Sequence, residues 1–146
     1  MGSLVWTDGS YYLGDLRHDM KDGRGKYHYA NGDVYVGDYR ADQRDGQGVS
    51  TFADGSQYRG EYKHDKANGQ GKFTFASGNE YVGEFHEDVK HGTGTFTFAS
   101  GARYTGQWKD DVRCGKGTYV WPDGPLTNLS SRTLFPISPL ERVVHM

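Results

Sequence analysis

The stretch YLGDLRHDMKDGRGKYHYANG, residues 12–32, recurs along the chain every 23 residues without an insertion or a deletion. Glycine occupies four positions of this unit, and those four positions account for all 22 glycines of the protein. A fixed period of this length is typical of a repeat architecture, in which each unit stacks on its neighbours. The periodicity stops after Gly124, so we predict a repeat array over residues 1–124 and a tail over residues 125–146.

Within each unit the residues alternate with a period of two, which indicates β-strands. Tyr12 and Gly14, for example, point to one face of the predicted sheet, and the residues between them point to the other. Asn31-Gly32 and its equivalents predict two-residue hairpin turns with positive φ at both central residues. Longer loops, such as residues 18–22, are expected at the opposite edge. The sequence therefore predicts an all-β fold, an elongated single-layer meander of eleven antiparallel strands that form stacked β-hairpins.

Nineteen of the 21 aromatic residues fall on one predicted face, in the same rows as two of the glycine positions. A single sheet has no second layer to bury apolar surface, so we expect large rings to lie over neighbours that have no side chain. We also expect exposed rings on this face, and aromatic residues are favoured anchors at interfaces. An extended peptide or a helix of another protein is the predicted ligand. The predicted partner-binding groove consists of Tyr12, Tyr35, Tyr58, Tyr81, Tyr104, Tyr39, Tyr62, Phe85, Trp108, Phe75, Phe98 and Trp121.

Two columns of basic residues give an alternative function, binding to anionic phospholipids as a peripheral membrane adaptor. One column is predicted on the polar face and the other in the loops. Acidic residues lie close to both columns, so a solvated sheet surface with ordinary opposite-charge pairs is the competing interpretation. The candidate lipid contacts are Arg17, Arg40 and Lys63 on the polar face, and Lys21, Arg44, Lys90 and Arg113 in the loops.

The sequence argues against catalysis and against a metal, cofactor or nucleic-acid site. A net charge of −2 does not favour a polyanion partner. The six histidines show no metal-ligand spacing, and a regular array offers no unique constellation of catalytic groups. The single cysteine, Cys114, fits a reducing compartment. We find no targeting segment and no apolar run of the length that crosses a membrane.

The repeat unit resembles the MORN repeat. The resemblance is carried by residues 35–39 (YVGDY) with residues 45–48 (DGQG), and by residues 81–85 (YVGEF) with residues 91–94 (HGTG). It implies a scaffold that holds protein partners in cytoskeletal assemblies, with the axonemes of cilia and flagella prominent among them. A cytoplasmic, cytoskeleton-associated location follows from the same resemblance, and phosphoinositide and membrane association are also claimed for the family. The resemblance and the residues together predict a non-enzymatic adaptor for protein–protein interactions.

The chain departs from the family pattern at one position of every repeat. Many members have glycine in the loop where this chain has Asp19 and its four equivalents. Aspartate tolerates left-handed backbone geometry moderately well, so we expect the turn to be retained. The added acidity weakens the membrane alternative.

The tail differs from the array because it holds three prolines and no glycine. Ser138, Pro139 and Glu141 form a helix-start signal, so we predict a short helix over residues 139–145. An open sheet edge invites aggregation. We therefore expect this irregular or helical tail to pack on the last strands or on a partner.

Overall fold

The computed structural model describes residues 1–121 as one antiparallel sheet of eleven strands, and it contains no helix in this range. Each strand pairs with its sequence neighbours in the order β1 to β11, so the sheet is one open meander. The predicted fold is confirmed. The strands are β1 Gly2–Val5, β2 Tyr11–Arg17, β3 Met20–His28, β4 Val34–Arg40, β5 Gln43–Thr51, β6 Gln57–Lys63, β7 Lys66–Thr74, β8 Glu80–His86, β9 Val89–Thr97, β10 Arg103–Lys109 and β11 Val112–Val120.

The hydrophobic core is a row of aromatic rings on one face of the sheet, which we call the inner row. Neighbouring rings meet edge to face, with centroids 5.0–5.6 Å apart and interplanar angles of 81–88°. Such pairs contribute about 0.5–1.5 kcal/mol each beyond the area that they bury. Every ring of the row is buried. Its members, in order of contact, are Tyr12, Tyr39, Tyr35, Tyr62, Tyr58, Phe85, Tyr81, Trp108 and Tyr104.

Glycine allows the inner row to lie directly on the backbone. A Cβ atom built on Gly71 would meet the Tyr58 ring at 2.5–2.7 Å, and one built on Gly25 would overlap the ring of Tyr12. The Tyr58 hydroxyl reaches across its glycine and donates a hydrogen bond to the Glu61 carbonyl at 2.7 Å. Three other tyrosines of the row make the equivalent bond. The predicted covering of bare backbone by rings is therefore present.

The two kinds of turn are the reverse of what we predicted. His18 and Asp19, between β2 and β3, both have positive φ, 52° and 63°, so a two-residue type I′ turn stands where we expected a longer loop. In the Asn-Gly loop only Gly32 has positive φ, and its N–H donates to the carbonyl of Tyr29 at 3.0 Å. This is a three-residue hairpin loop that ends in a left-handed glycine. The expectation of a two-residue turn there is wrong because the residue before the glycine keeps negative φ.

A bulge in each repeat then fixes the pairing near the type I′ turn. The register between β2 and β3 shifts between Gly14 and Leu16, and beyond the shift Leu16 pairs with Lys21. Asp15 accepts the backbone N–H of Arg24 at 2.9 Å, so its carboxylate satisfies a donor that the bulge leaves out of the ladder. The pairing places Lys21 on the same face as Leu16, which is the aromatic face.

The predicted tail at residues 125–146, with its helix at residues 139–145, lies outside the described residues.

We predict that Gly71→Ala lowers the free energy of unfolding by roughly 1–3 kcal/mol, because the added methyl group overlaps the Tyr58 ring. Lys72→Ala changes the next residue on the opposite, exposed face and should cost about 0.5 kcal/mol or less. Urea denaturation followed by circular dichroism measures both. Equal stability of the two variants would contradict the packing described here.

Candidate binding face

Beside the inner row runs a second line of rings, the outer row, which is more accessible to solvent. Neighbouring centroids lie 4.4–6.0 Å apart. Most members are half-buried, Trp6 is exposed, and Phe75 and Phe96 are buried. The line is interrupted at Ser50, whose hydroxyl is hydrogen-bonded to that of Tyr62. The outer row consists of Trp6, Tyr27, Tyr29, Phe52, Phe73, Phe75, Phe96, Phe98, Tyr119 and Trp121.

Ten of the twelve residues predicted to line a partner groove are buried. Nine of them form the inner row and the tenth is Phe75, whereas Phe98 and Trp121 are half-buried. The expectation of exposure is wrong for those ten because each ring is covered by neighbouring rings and side chains. Their role in partner contact stays a prediction. The accessible rings of the outer row that the sequence interpretation left out are Trp6, Tyr27, Tyr29, Phe52, Phe73 and Tyr119.

The second basic column lies within strands on the aromatic face and not in loops, which corrects the sequence prediction. Lys21 Nζ lies 5.4–5.9 Å from four ring centroids, and the guanidinium carbon of Arg113 lies 5.0 Å from that of Tyr104. The side chain of Lys90 is only 2% exposed. These cations therefore pack between the rings as cation–π partners. We call Lys21, Arg44, Lys90 and Arg113 the cation column.

An aspartate of the following repeat neutralises three members of the cation column. It is the second residue of the type I′ turn, where its φ is positive. The same carboxylate also accepts the backbone N–H of its basic partner at 2.8–2.9 Å, which ties one repeat to the next. The acidic residue that distinguishes this chain thus has a structural role. The ion pairs are Lys21–Asp42 at 3.4 Å, Arg44–Asp65 at 3.2 Å and Lys90–Asp111 at 2.8 Å.

Only part of the predicted lipid-contact set is accessible. Arg17, Arg40 and Lys63 are exposed at the turn end of the opposite face. The cation column faces the rings instead. An anionic headgroup would therefore meet the first set and not the second.

No helix long and apolar enough to cross a membrane occurs among residues 1–121. Over the same residues, no three His, Cys, Asp or Glu side chains come together in a way that could hold a metal ion.

A cavity of about 310 Å³ opens on the aromatic face in the middle of the sheet. It lies at Ala67, where the other repeats carry a basic residue of the cation column. The sequence interpretation missed it, although the single break in a basic column was a visible signal. The cavity is lined by Arg44, Phe52, Tyr58, Tyr62, Ala67, Phe73, Phe85 and Asp88.

Burial also changes the titration of Lys90, a member of the cation column. Removal of Lys90 from water lowers the pKa of its ammonium group to about 8, although the hydrogen bond and charge of Asp111 act in the opposite direction. Desolvation also raises the pKa of the phenols of Tyr35, Tyr58 and Tyr81 far above the ordinary value. The aromatic face therefore behaves as an interior of low polarity.

Comparison with known proteins identifies the repeat. The family model described as MORN repeat matches five consecutive segments, residues 12–34, 35–57, 58–80, 81–103 and 104–125. No curated protein matches significantly by sequence.

Two solved structures match this chain, and the first of them is similar in fold. One is the SAS-4 (dCPAP) TCP domain of Drosophila melanogaster, in complex with a proline-rich motif of Ana2 (dSTIL). It has a TM-score of 0.55 and 14% identity, over 84% of this chain and 67% of that one. The other is the TCP10 domain of Danio rerio CPAP with a peptide of Danio rerio STIL. Its TM-score is 0.26 at 18% identity, over 82% of this chain and 73% of that one.

The lowered pKa of Lys90 predicts a pH dependence of stability. Between about pH 8 and pH 10.5 the unfolded lysine binds a proton that the folded one has lost, so the lysine's contribution to stability rises with pH. The free energy of unfolding of the wild type relative to Lys90→Met should therefore increase across this window, by up to about 3 kcal/mol. Urea denaturation at several pH values measures it.

Lys63→Met, which removes an exposed lysine, corrects for the change in net charge. A difference between wild type and Lys90→Met that stays flat or falls across the window would contradict the role of burial.

Proposed function

Because the chain belongs to the MORN repeat family, we propose that it is a non-enzymatic scaffold that binds another protein along its outer row. MORN repeats occur in proteins that bind other proteins or membranes, and the family is non-enzymatic. The observation that carries the proposal is the partly exposed line of rings from Trp6 to Trp121, beside an inner row whose rings are all buried.

The outer row has the properties of a protein interface. A line of accessible aromatic rings on a protein surface favours contact with another macromolecule, and Tyr, Trp and Phe provide large contact areas at little entropic cost. Eleven strands about 4.8 Å apart give the face a length of roughly 50 Å. An extended segment of about 15 residues would span that length.

The solved structure that is similar in fold suggests which kind of ligand to test first. The TCP domain of SAS-4 was solved with a proline-rich motif, which makes an extended segment the first ligand to test here. At 14% identity that likeness concerns the fold alone. The proposal therefore rests on the rings of this chain.

We propose a cytoplasmic setting in a cytoskeletal assembly, the axoneme of a cilium or flagellum being the first to examine. The family resemblance supports this setting, and an exposed single cysteine, Cys114, is compatible with a reducing compartment. After detergent extraction of ciliated cells, the tagged protein should remain with the axonemes. Complete recovery in the soluble or the membrane fraction would contradict the setting.

Site-specific photo-cross-linking tests the binding face. A photoreactive phenylalanine placed at Phe52 or at Phe98 should give discrete cross-links to another protein in cells, since both rings are half-buried members of the outer row. The matched control carries the same group at Val36, which is 41% exposed on the opposite face. Cross-links that form only from Val36 would contradict the proposal.

The membrane alternative depends on Arg17, Arg40 and Lys63, which are the exposed basic residues of the predicted set. We expect no salt-sensitive co-sedimentation with vesicles that contain phosphatidylserine and phosphatidylinositol bisphosphate, because acidic side chains are interspersed on that face. Binding by the wild type that is lost when all three residues are changed to Glu would favour the membrane function instead.

A further inference from the structure

The cavity at Ala67 has the ring arrangement that surrounds a cation elsewhere in the sheet. Lys90 Nζ lies 5.7–5.9 Å from the centroids of Phe75, Tyr81 and Trp108. Ala67 is the residue 23 positions before Lys90, at the same place in the repeat. The residues 23 positions before the three rings all line the cavity, and they are Phe52, Tyr58 and Phe85.

The carboxylate that belongs to this position is also in place. Asp88 accepts the backbone N–H of Ala67 at 2.8 Å, just as its equivalents accept the N–H of a basic residue. Those equivalents each form an ion pair as well. Alanine has no charge, so Asp88 forms none with any residue in the range 1–121. The third repeat therefore keeps the rings and the acid of a cation site and lacks only the cation.

The electrostatic balance of the cavity favours a positive charge. Arg44 lines one side, but its guanidinium is already bound by the Asp65 carboxylate at 3.2 Å and by the Asp65 carbonyl. The other charged residue that lines the cavity is Asp88, and its carboxylate is negative. Faces of aromatic rings carry partial negative charge and attract ammonium and guanidinium groups. A volume of about 310 Å³ is at the lower end of the range for small-ligand pockets.

We propose that this cavity binds a lysine or arginine side chain of the partner protein, which completes the cation column from outside. The inference rests on the proposed function, because Phe52 and Phe73 belong to both the cavity and the outer row. A partner that lies along the outer row therefore passes over the opening. The cavity would fix the register of that partner, since the other four repeats fill the same position with their own side chains.

Titration with side-chain analogues tests the cavity without a knowledge of the partner. Propylguanidinium and butylammonium ions are added to the isotope-labelled full chain, and propylurea serves as the neutral isostere of the first. We expect saturable NMR shift changes centred on Ala67 and Asp88 with both cations, in the roughly millimolar range for one side chain. Propylurea should bind at least about tenfold more weakly, because it lacks the charge.

Two variants locate the binding. Ala67→Arg restores the missing cation and should abolish the shift changes while it raises the melting temperature. Asp88→Asn should weaken both cations several-fold and leave propylurea unaffected. Equal binding of cation and isostere, the same shifts in Ala67→Arg, or no saturable shift would each overturn the proposal. None of these results would affect the cross-linking from Phe52 and Phe98. The proposal of a cation cavity can therefore be wrong while the proposal that the outer row binds a protein remains correct.

The chain itself has two further arginines, Arg132 and Arg142, beyond residue 121. If one of them filled the cavity, changing both to Gln would tighten the binding of propylguanidinium. We expect no change in affinity. A gain of more than about threefold would mean that the chain's own tail, and not a partner protein, fills the cavity.

A second copy of the chain is tested by repeating the titration at a tenfold lower protein concentration. Tighter binding on dilution would overturn the partner assignment.

Discussion

The structure depends on one contact, a tyrosine ring that packs directly against the glycine of the adjacent strand. A one-layer sheet has no opposing layer, so its apolar side chains must find their cover within their own face. Tyr58 over Gly71 shows how this is done, because the ring replaces the missing side chain and its hydroxyl bonds the backbone beyond. Repetition of that contact in every unit joins the rings into one continuous core.

The cations and aspartates of the aromatic face complete this core. Each basic side chain fills the space between rings, and the charges of Lys21, Arg44 and Lys90 are matched by an aspartate of the next repeat. The aspartate also adopts the left-handed geometry that the type I′ turn requires, so one residue serves the turn and the contact between repeats. Where the pattern is incomplete, at Ala67, the same arrangement leaves a cavity that is suited to a cation from outside.

The strands, their order and the shared face of the rings were predictable, because the glycine and aromatic positions repeat without a gap. The turns were not, since a signal such as Asn-Gly suits more than one loop length. That error had a consequence for the candidate site. A longer loop after Arg17 placed Lys21 among exposed residues, whereas a two-residue turn pairs Lys21 with Leu16 and moves its whole column to the aromatic face. Burial of the inner row was missed because the sequence does not show how closely cations pack over rings.

The central claim is tested most directly by the proton chemical shifts of the glycines. Ring currents displace the signals of protons held against an aromatic ring, so the Hα signals of Gly25, Gly48, Gly71, Gly94 and Gly117 should lie well away from those of the turn glycines Gly9 and Gly55. Among residues 1–121, no atom lies within 4 Å of a Cβ built on either of those two turn residues. Nuclear Overhauser contacts from each shifted Hα to the tyrosine of the adjacent strand should accompany the shifts. Ordinary shifts for all of these glycines, without such contacts, would show that the rings do not cover the backbone.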